Sequence, residues 1–136
     1  MHPSEAIYRT VYGAISHMLG HSSTDKKLYE TVPDSSAKYP FVWLDYERLP
    51  IIPNNDLMGT YTINIRLYGK LSDRKELNRM NALIHDGLLK VRSAFGYSLS
   101  LRTYNTQTIK ENDNGTPLLH LTTEASFYWN KNKGEN

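Results

Sequence analysis

Cysteine is missing from all 136 residues. Its absence excludes disulfide scaffolds, zinc ribbons, iron–sulfur sites and thiol nucleophiles together, because each needs sulfur ligands or a thiolate. The fold has to be held by packing. Long apolar runs are also missing: none approaches the roughly 20 residues that cross a bilayer. The start, Met1-His2-Pro3-Ser4-Glu5, has neither the basic segment nor the apolar run of a signal peptide, so the expectation is a soluble intracellular protein without a membrane partner. Charge of one sign is lacking too, since 16 Lys+Arg stand against 14 Asp+Glu, interleaved along the chain, for a formal net charge of +2. A basic stripe suited to nucleic acid is therefore not expected.

The common catalytic signatures are absent as well. A phosphate-cradling P-loop would need a glycine where Asn64 stands and Ser or Thr where Leu71 follows Gly69-Lys70. Neither G-x-G-x-x-G nor G-x-S-x-G occurs. Of His2, His17, His21, His85 and His120, only His17 and His21 stand four apart, and His21 lies beyond Gly20 with no carboxylate at ligand spacing. His85 and Asp86 are adjacent, so on a helix they point about 100° apart and cannot act as a couple. Asp45 and Glu47 share a strand parity, but beside Arg48 they suggest an exposed, partly paired cluster and not a tuned dyad. No catalytic residue, metal or cofactor is expected.

What is present reads as one domain. At this length a chain buries about two-thirds of its unfolded surface, enough for one core and too little for two. Ile7, Val11, Ile15, Met18 and Leu19 form a helical stripe from Ser4, its expected cap, to Gly20, its stop. Leu28 to Val32 suggests an edge strand and Phe41 to Glu47 a central one. Pro50 to Met58 breaks every period and is expected to be a loop. Tyr61, Ile63, Ile65 and Leu67 then alternate with polar residues from Gly59 to Tyr68. A second helix is expected from Asp73, in a capping box with Glu76, through Leu77, Met80, Ile84, Leu88, Val91 and Phe95 to Gly96. Strands Tyr97–Ile109 and Leu118–Trp129 follow, joined by an irregular Lys110 to Pro117 containing the turn pair Asn114-Gly115. The polar tail Asn130 to Asn136 is expected to be disordered. The expectation is an α+β fold: residues 1–129 as a single domain with a mostly antiparallel sheet of four to five strands and two helices on one face.

The succession Leu28-Tyr29-Glu30-Thr31-Val32-Pro33, Tyr39-Pro40-Phe41-Val42-Trp43-Leu44, Thr62-Ile63-Asn64-Ile65-Arg66-Leu67-Tyr68 and Ser72-Asp73-Arg74-Lys75-Glu76-Leu77 resembles the tail-completion proteins of long-tailed bacteriophages, which are similar to lambda-type tail terminators. The resemblance spans Ile7 to Trp129. It implies a virion protein that forms a hexameric ring on the finished tail tube, with other copies of itself, the major tail tube protein and the head connector or stopper as partners. A different connector or minor capsid neck subunit, and a small nucleic-acid-binding protein, are the alternatives. With 10 tyrosines, whose rings suit interfaces, and with loops as the usual carriers of recognition, the expected contact residues are Pro50, Ile51, Ile52, Asn54, Asn55, Asp56, Leu57, Met58, Tyr61, Asn112, Asp113, Asn114 and Tyr128.

Overall fold

The computed structural model describes residues 2–22, 24–34, 37–45 and 57–132. Helix α1 runs Pro3–Leu19 and buries Ala6, Ile7, Tyr8, Val11, Ile15 and Leu19. Its cap is His2, not Ser4: Pro3 takes the first helical position, where no donor is needed, and His2 Nδ1 accepts from the Ser4 amide at 3.3 Å. Gly20 ends the helix at φ 65°, its amide and that of His21 donating to the His17 and Ser16 carbonyls at 3.2 and 3.0 Å. Gly13 lies on the exposed side with no heavy atom within 4 Å of the position its Cβ would take. Gly13→Ala is therefore expected to stabilise the protein by about 0.5–1 kcal/mol, read as a higher denaturation midpoint.

Six strands form one sheet in the order β1-β2-β3-β6-β5-β4: β1 Leu28–Tyr29, β2 Phe41–Leu44, β3 Met58–Lys70, β4 Ser93–Ala94, β5 Tyr97–Asp113 and β6 Thr116–Lys131. Only β1 and β2 are parallel; the other neighbours are antiparallel. The strand count exceeds the expected four to five because of β4, which the helical spacing had hidden. Helix α2 covers Arg74–Leu88 and stops there, short of the expected Phe95. The amides of Leu89, Lys90 and Val91 close tight turns onto His85, Gly87 and Leu88. Ser93-Ala94 then pairs with Tyr97-Ser98 across Phe95-Gly96, both at positive φ (47° and 88°), as a two-residue hairpin turn requires. Val91 is half-buried beyond the helix, and Phe95 is 61% exposed. The expected capping box is replaced by a link three residues earlier in the chain: Asp73 Oδ2 accepts from the Lys70 amide at 2.8 Å, and Glu76 pairs with Arg79.

Both helices share a single hydrophobic cluster with the sheet. Ile7, Val11 and Ile15 of α1 and Leu77, Met80, Ile84 and Leu88 of α2 join Tyr61, Ile63, Ile65 and Leu67 of β3 and Leu121, Ala125, Phe127 and Trp129 of β6. Gly87 permits the helix contact, because a Cβ there would lie 1.7 Å from Met18 Sδ.

Strand β5 keeps its apolar side inward by changing parity. Leu99 and Leu101 face the core opposite Trp129 and Phe127, a bulge falls between Leu101 and Thr103, and Tyr104 then stands opposite Ala125. Its hydroxyl donates to Asn81 Oδ1 of α2 at 2.6 Å. Burial pushes this phenol well above its ordinary pKa, keeping it a donor. Thr106 and the buried Thr123, 2.8 Å apart, complete the polar link to Asn81. The segment expected to be irregular between the last two strands is regular: β5 continues to Asp113 and β6 starts at Thr116, leaving only Asn114-Gly115 as the turn at φ 50° and 85°. At the other end, Asn130 and Lys131 are not disordered. They pair with Met58, Ser98 and Tyr97, and the Asn132 amide donates to Gly96 O, because strand neighbours satisfy a polar backbone whatever its side chains. Residues 133–136 lie outside the described residues.

Candidate interaction surface

Of the expected contact residues that the structure describes, Leu57, Met58 and Tyr128 lie at one end of the β5–β6 ladder and Asn112, Asp113 and Asn114 at the other. Asn130 of β6 pairs with Met58, and Thr116 pairs with Asp113; the span between them along β6 is about 45 Å at 3.3 Å per residue. At the first end, Leu57 and Met58 are 64% and 52% exposed. The Tyr128 hydroxyl reaches Met58 Sδ at 3.8 Å, while the Arg102 guanidinium lies 5.9 Å from the Tyr128 ring centre. Phe95 joins this end through Gly96 O, which receives the Asn132 amide. At the second end, Asn112, Asp113 and Asn114 are exposed, and Asn112 Oδ1 accepts from the Gly115 amide at 2.8 Å. Asp113 has no ion-pair partner among the described residues. Pro50, Ile51, Ile52, Asn54, Asn55 and Asp56 lie outside the described residues. Tyr61 is withdrawn from the surface: it is 0% exposed among the core residues of β3, where alternation with Ile63, Ile65 and Leu67 puts it.

The sheet face away from the helices carries an unforeseen cluster. Phe41, Tyr68 and His120 stack across β2, β3 and β6, with ring centres 5.3 and 4.1 Å apart. Tyr39, which precedes the cis Tyr39–Pro40 bond, stacks on Phe41 at 5.5 Å. One register step away, Arg66 lies 5.3 Å from the Trp43 ring centre, and its Nε is 3.6 Å from Asp45 Oδ2. Asp45 is thus buried and paired, contrary to the exposed cluster expected of it; Glu47 lies outside the described residues. Arg66 is held between Trp43 and Asp45.

His120 is 5% exposed, with Nδ1 3.3 Å from Glu111 Oε1. Burial lowers its pKa, and Glu111 opposes that shift without cancelling it. Since the unfolded imidazole titrates near 6.5 and the folded one lower, the stabilisation is present above about pH 6.5 and is lost as pH falls through that value toward the folded pKa. His120→Gln should therefore show a smaller fall in melting temperature than the wild-type protein between about pH 7 and pH 5.

A cleft of about 580 Å³ opens between the end of α1, the chain around β1, the Tyr39-Pro40 turn and the first turns of α2. Lys26, Lys27, Lys38 and Arg79 line it against two carboxylates, Asp25 and Glu76. Lys27 pairs with Asp25 at 3.4 Å and Arg79 with Glu76. Lys26 lies 4.8 Å from the Tyr29 ring centre, and Lys38 is exposed with no acidic partner among the described residues. The lining is cationic and aromatic, chemistry that suits an acidic segment better than an apolar ligand.

Among the described residues no three His, Asp or Glu side chains gather as a metal site, and no helix is long and apolar enough to cross a membrane. The fold has a solved counterpart. The chain is similar to a chain of the virion of a native gene transfer agent (GTA) particle, with a TM-score of 0.63 and 12% sequence identity, over 91% of this chain and 96% of that one. At that identity the likeness is one of fold. No protein-family model matches the sequence, and no curated protein matches it.

Besides the Phe41–Tyr68–His120 stack, two parts of this surface escaped the sequence, Phe95 and the cleft. Phe95 continues the i, i+3, i+4 spacing of α2, so periodicity hides it; the Phe-Gly pair ahead of Tyr97 is the signal for a turn. The cleft draws its residues from four separated stretches of chain, and no local pattern announces such a meeting.

Proposed function

We propose that this chain is a non-enzymatic structural subunit of a phage-like virion, which forms a hexameric ring on the finished tail tube, ends its growth and joins the tail to the head connector. The observation that carries this proposal is the fold likeness to a gene transfer agent virion chain over nearly the whole of both chains. The residue order of the strands and second helix, which resembles tail-completion proteins, supports the position in the particle. A ring subunit needs one surface for its neighbour and others for the layers above and below, since a cyclic head-to-tail contact is heterologous. The apolar rim at Leu57, Met58 and Phe95 and the polar hairpin tip at Asn112 to Asn114 are two such surfaces, at opposite ends of one stiff ladder. The partners on this proposal are further copies of the chain, the major tail tube protein and the head connector or stopper. A second reading, a connector or minor capsid subunit elsewhere in the neck, draws on the same neighbour, which identifies a particle and not a place in it.

Purified chain added to growing tail tubes is expected to stop elongation and to appear in negative-stain electron micrographs as a disc at one tube end. Tubes that lengthen unchanged and carry no disc contradict tail capping. Binding to isolated head connectors but not to tubes favours the second reading.

A further inference from the structure

We propose that in the ring the β5–β6 hairpin tip of one copy seats in the Lys26–Lys38 cleft of the next, with Asp113 meeting the two lysines. The contact rests on the ring proposed above and adds its chemistry. The tip extends two residue pairs beyond Lys70↔Leu118, the last pair that β3 makes with β6. The cleft opens at this same end of the sheet, because Phe41 pairs with Tyr68 and so places Tyr39 and Pro40 level with Gly69 and Lys70. Tip and cleft lie on opposite sides of the sheet, the one on β5 and β6 and the other beside β1 and β2. A ring axis that runs along the strand direction would set the tip of each copy beside the cleft of its neighbour. The charges match: Lys110, Glu111 and Asp113 give the hairpin end one cation and two carboxylates, against four cations and two carboxylates in the cleft. Asp113, Lys26 and Lys38 have no ion-pair partner among the described residues. Backbone strand addition across β1 is disfavoured, since the Lys27 and Leu28 amides already donate to His21 Nδ1 at 2.9 and 3.1 Å. The contact is one of side chains.

The cysteine-free chain permits a direct test by oxidation of Asp113→Cys/Lys38→Cys, alone and with tail tubes present. Within one copy, β3 and β6 separate the two positions by three strand spacings, about 14 Å, which exceeds disulfide reach. The double variant is expected to give a reducible ladder of species larger than dimers, while each single-cysteine variant stops at the dimer. Independently, Asp113→Lys should abolish rings, and adding Lys38→Glu to the same chain should restore them. Rings visible by electron microscopy without the ladder overturn this contact and leave the ring standing. Neither rings nor ladder, in the variants or the wild-type protein, overturns both.

Discussion

Trp129→Ala is expected to cost about 3–5 kcal/mol, read from the denaturant midpoint, a large share of the 5–15 kcal/mol that holds a domain together. Trp129 is 0% exposed and heads the fully buried side chains by volume. Its indole lies over Gly59, its partner in the β3–β6 register, where a Cβ would sit 3.0 Å from Trp129 Cζ2. Tyr97 meets it edge-on at 5.6 Å from β5. Removing the ring leaves a cavity spanning three strands, and the glycine beneath has no side chain to collapse into it. A loss below about 1.5 kcal/mol, less than large aromatic truncations cost in cores, would mean that this end of the sheet is not packed as described.

The second large effect is expected at Asp45. Its side chain is 1% exposed and that of Arg66 17%, with 3.6 Å between the charged atoms. The position is fixed from both sides: the Tyr8 hydroxyl of α1 donates to Leu44 O at 3.0 Å, and the Asp45 amide donates to Asn64 O at 3.2 Å. Asp45→Ala strands the Arg66 charge against Trp43 and should cost about 3 kcal/mol. Asp45→Ala/Arg66→Met should recover much of that loss, since an apolar pair replaces a broken ion pair. A loss in the double variant equal to the sum of the losses of Asp45→Ala and Arg66→Met alone would show that the pair is not coupled.

Where one period governed a whole element, the sequence disclosed it. Ile7, Val11, Ile15 and Leu19 lie buried on α1, and Gly20 ends it. The alternation from Tyr61 to Leu67 describes β3, and it also places Tyr61 inside, against the compositional argument that tyrosines seek interfaces. Period outranks composition there because a strand cannot turn one side chain outward without turning its neighbours. The overrun of α2 has the opposite origin: Val91 and Phe95 keep helical spacing by chance, while the tight turns after Leu88 hold the first and the Phe95-Gly96 hairpin turn holds the second. In β5 the bulge after Leu101 breaks the period of two, so Tyr104 follows a parity that no single alternation contains. The Asp45–Arg66 pair and the cationic cleft depend on strand order. That order is set by packing between distant segments, and a linear pattern does not carry it.

The proposed place of this chain in a particle is tested most directly by deleting its gene from the genome that encodes the particle and examining the products by electron microscopy. The expected result is full heads separate from tails, with tails of uncontrolled length because nothing ends tube growth, and restoration of joined particles of normal length when the chain is supplied in trans. Joined particles with tails of normal length in the deletion would contradict the proposed role.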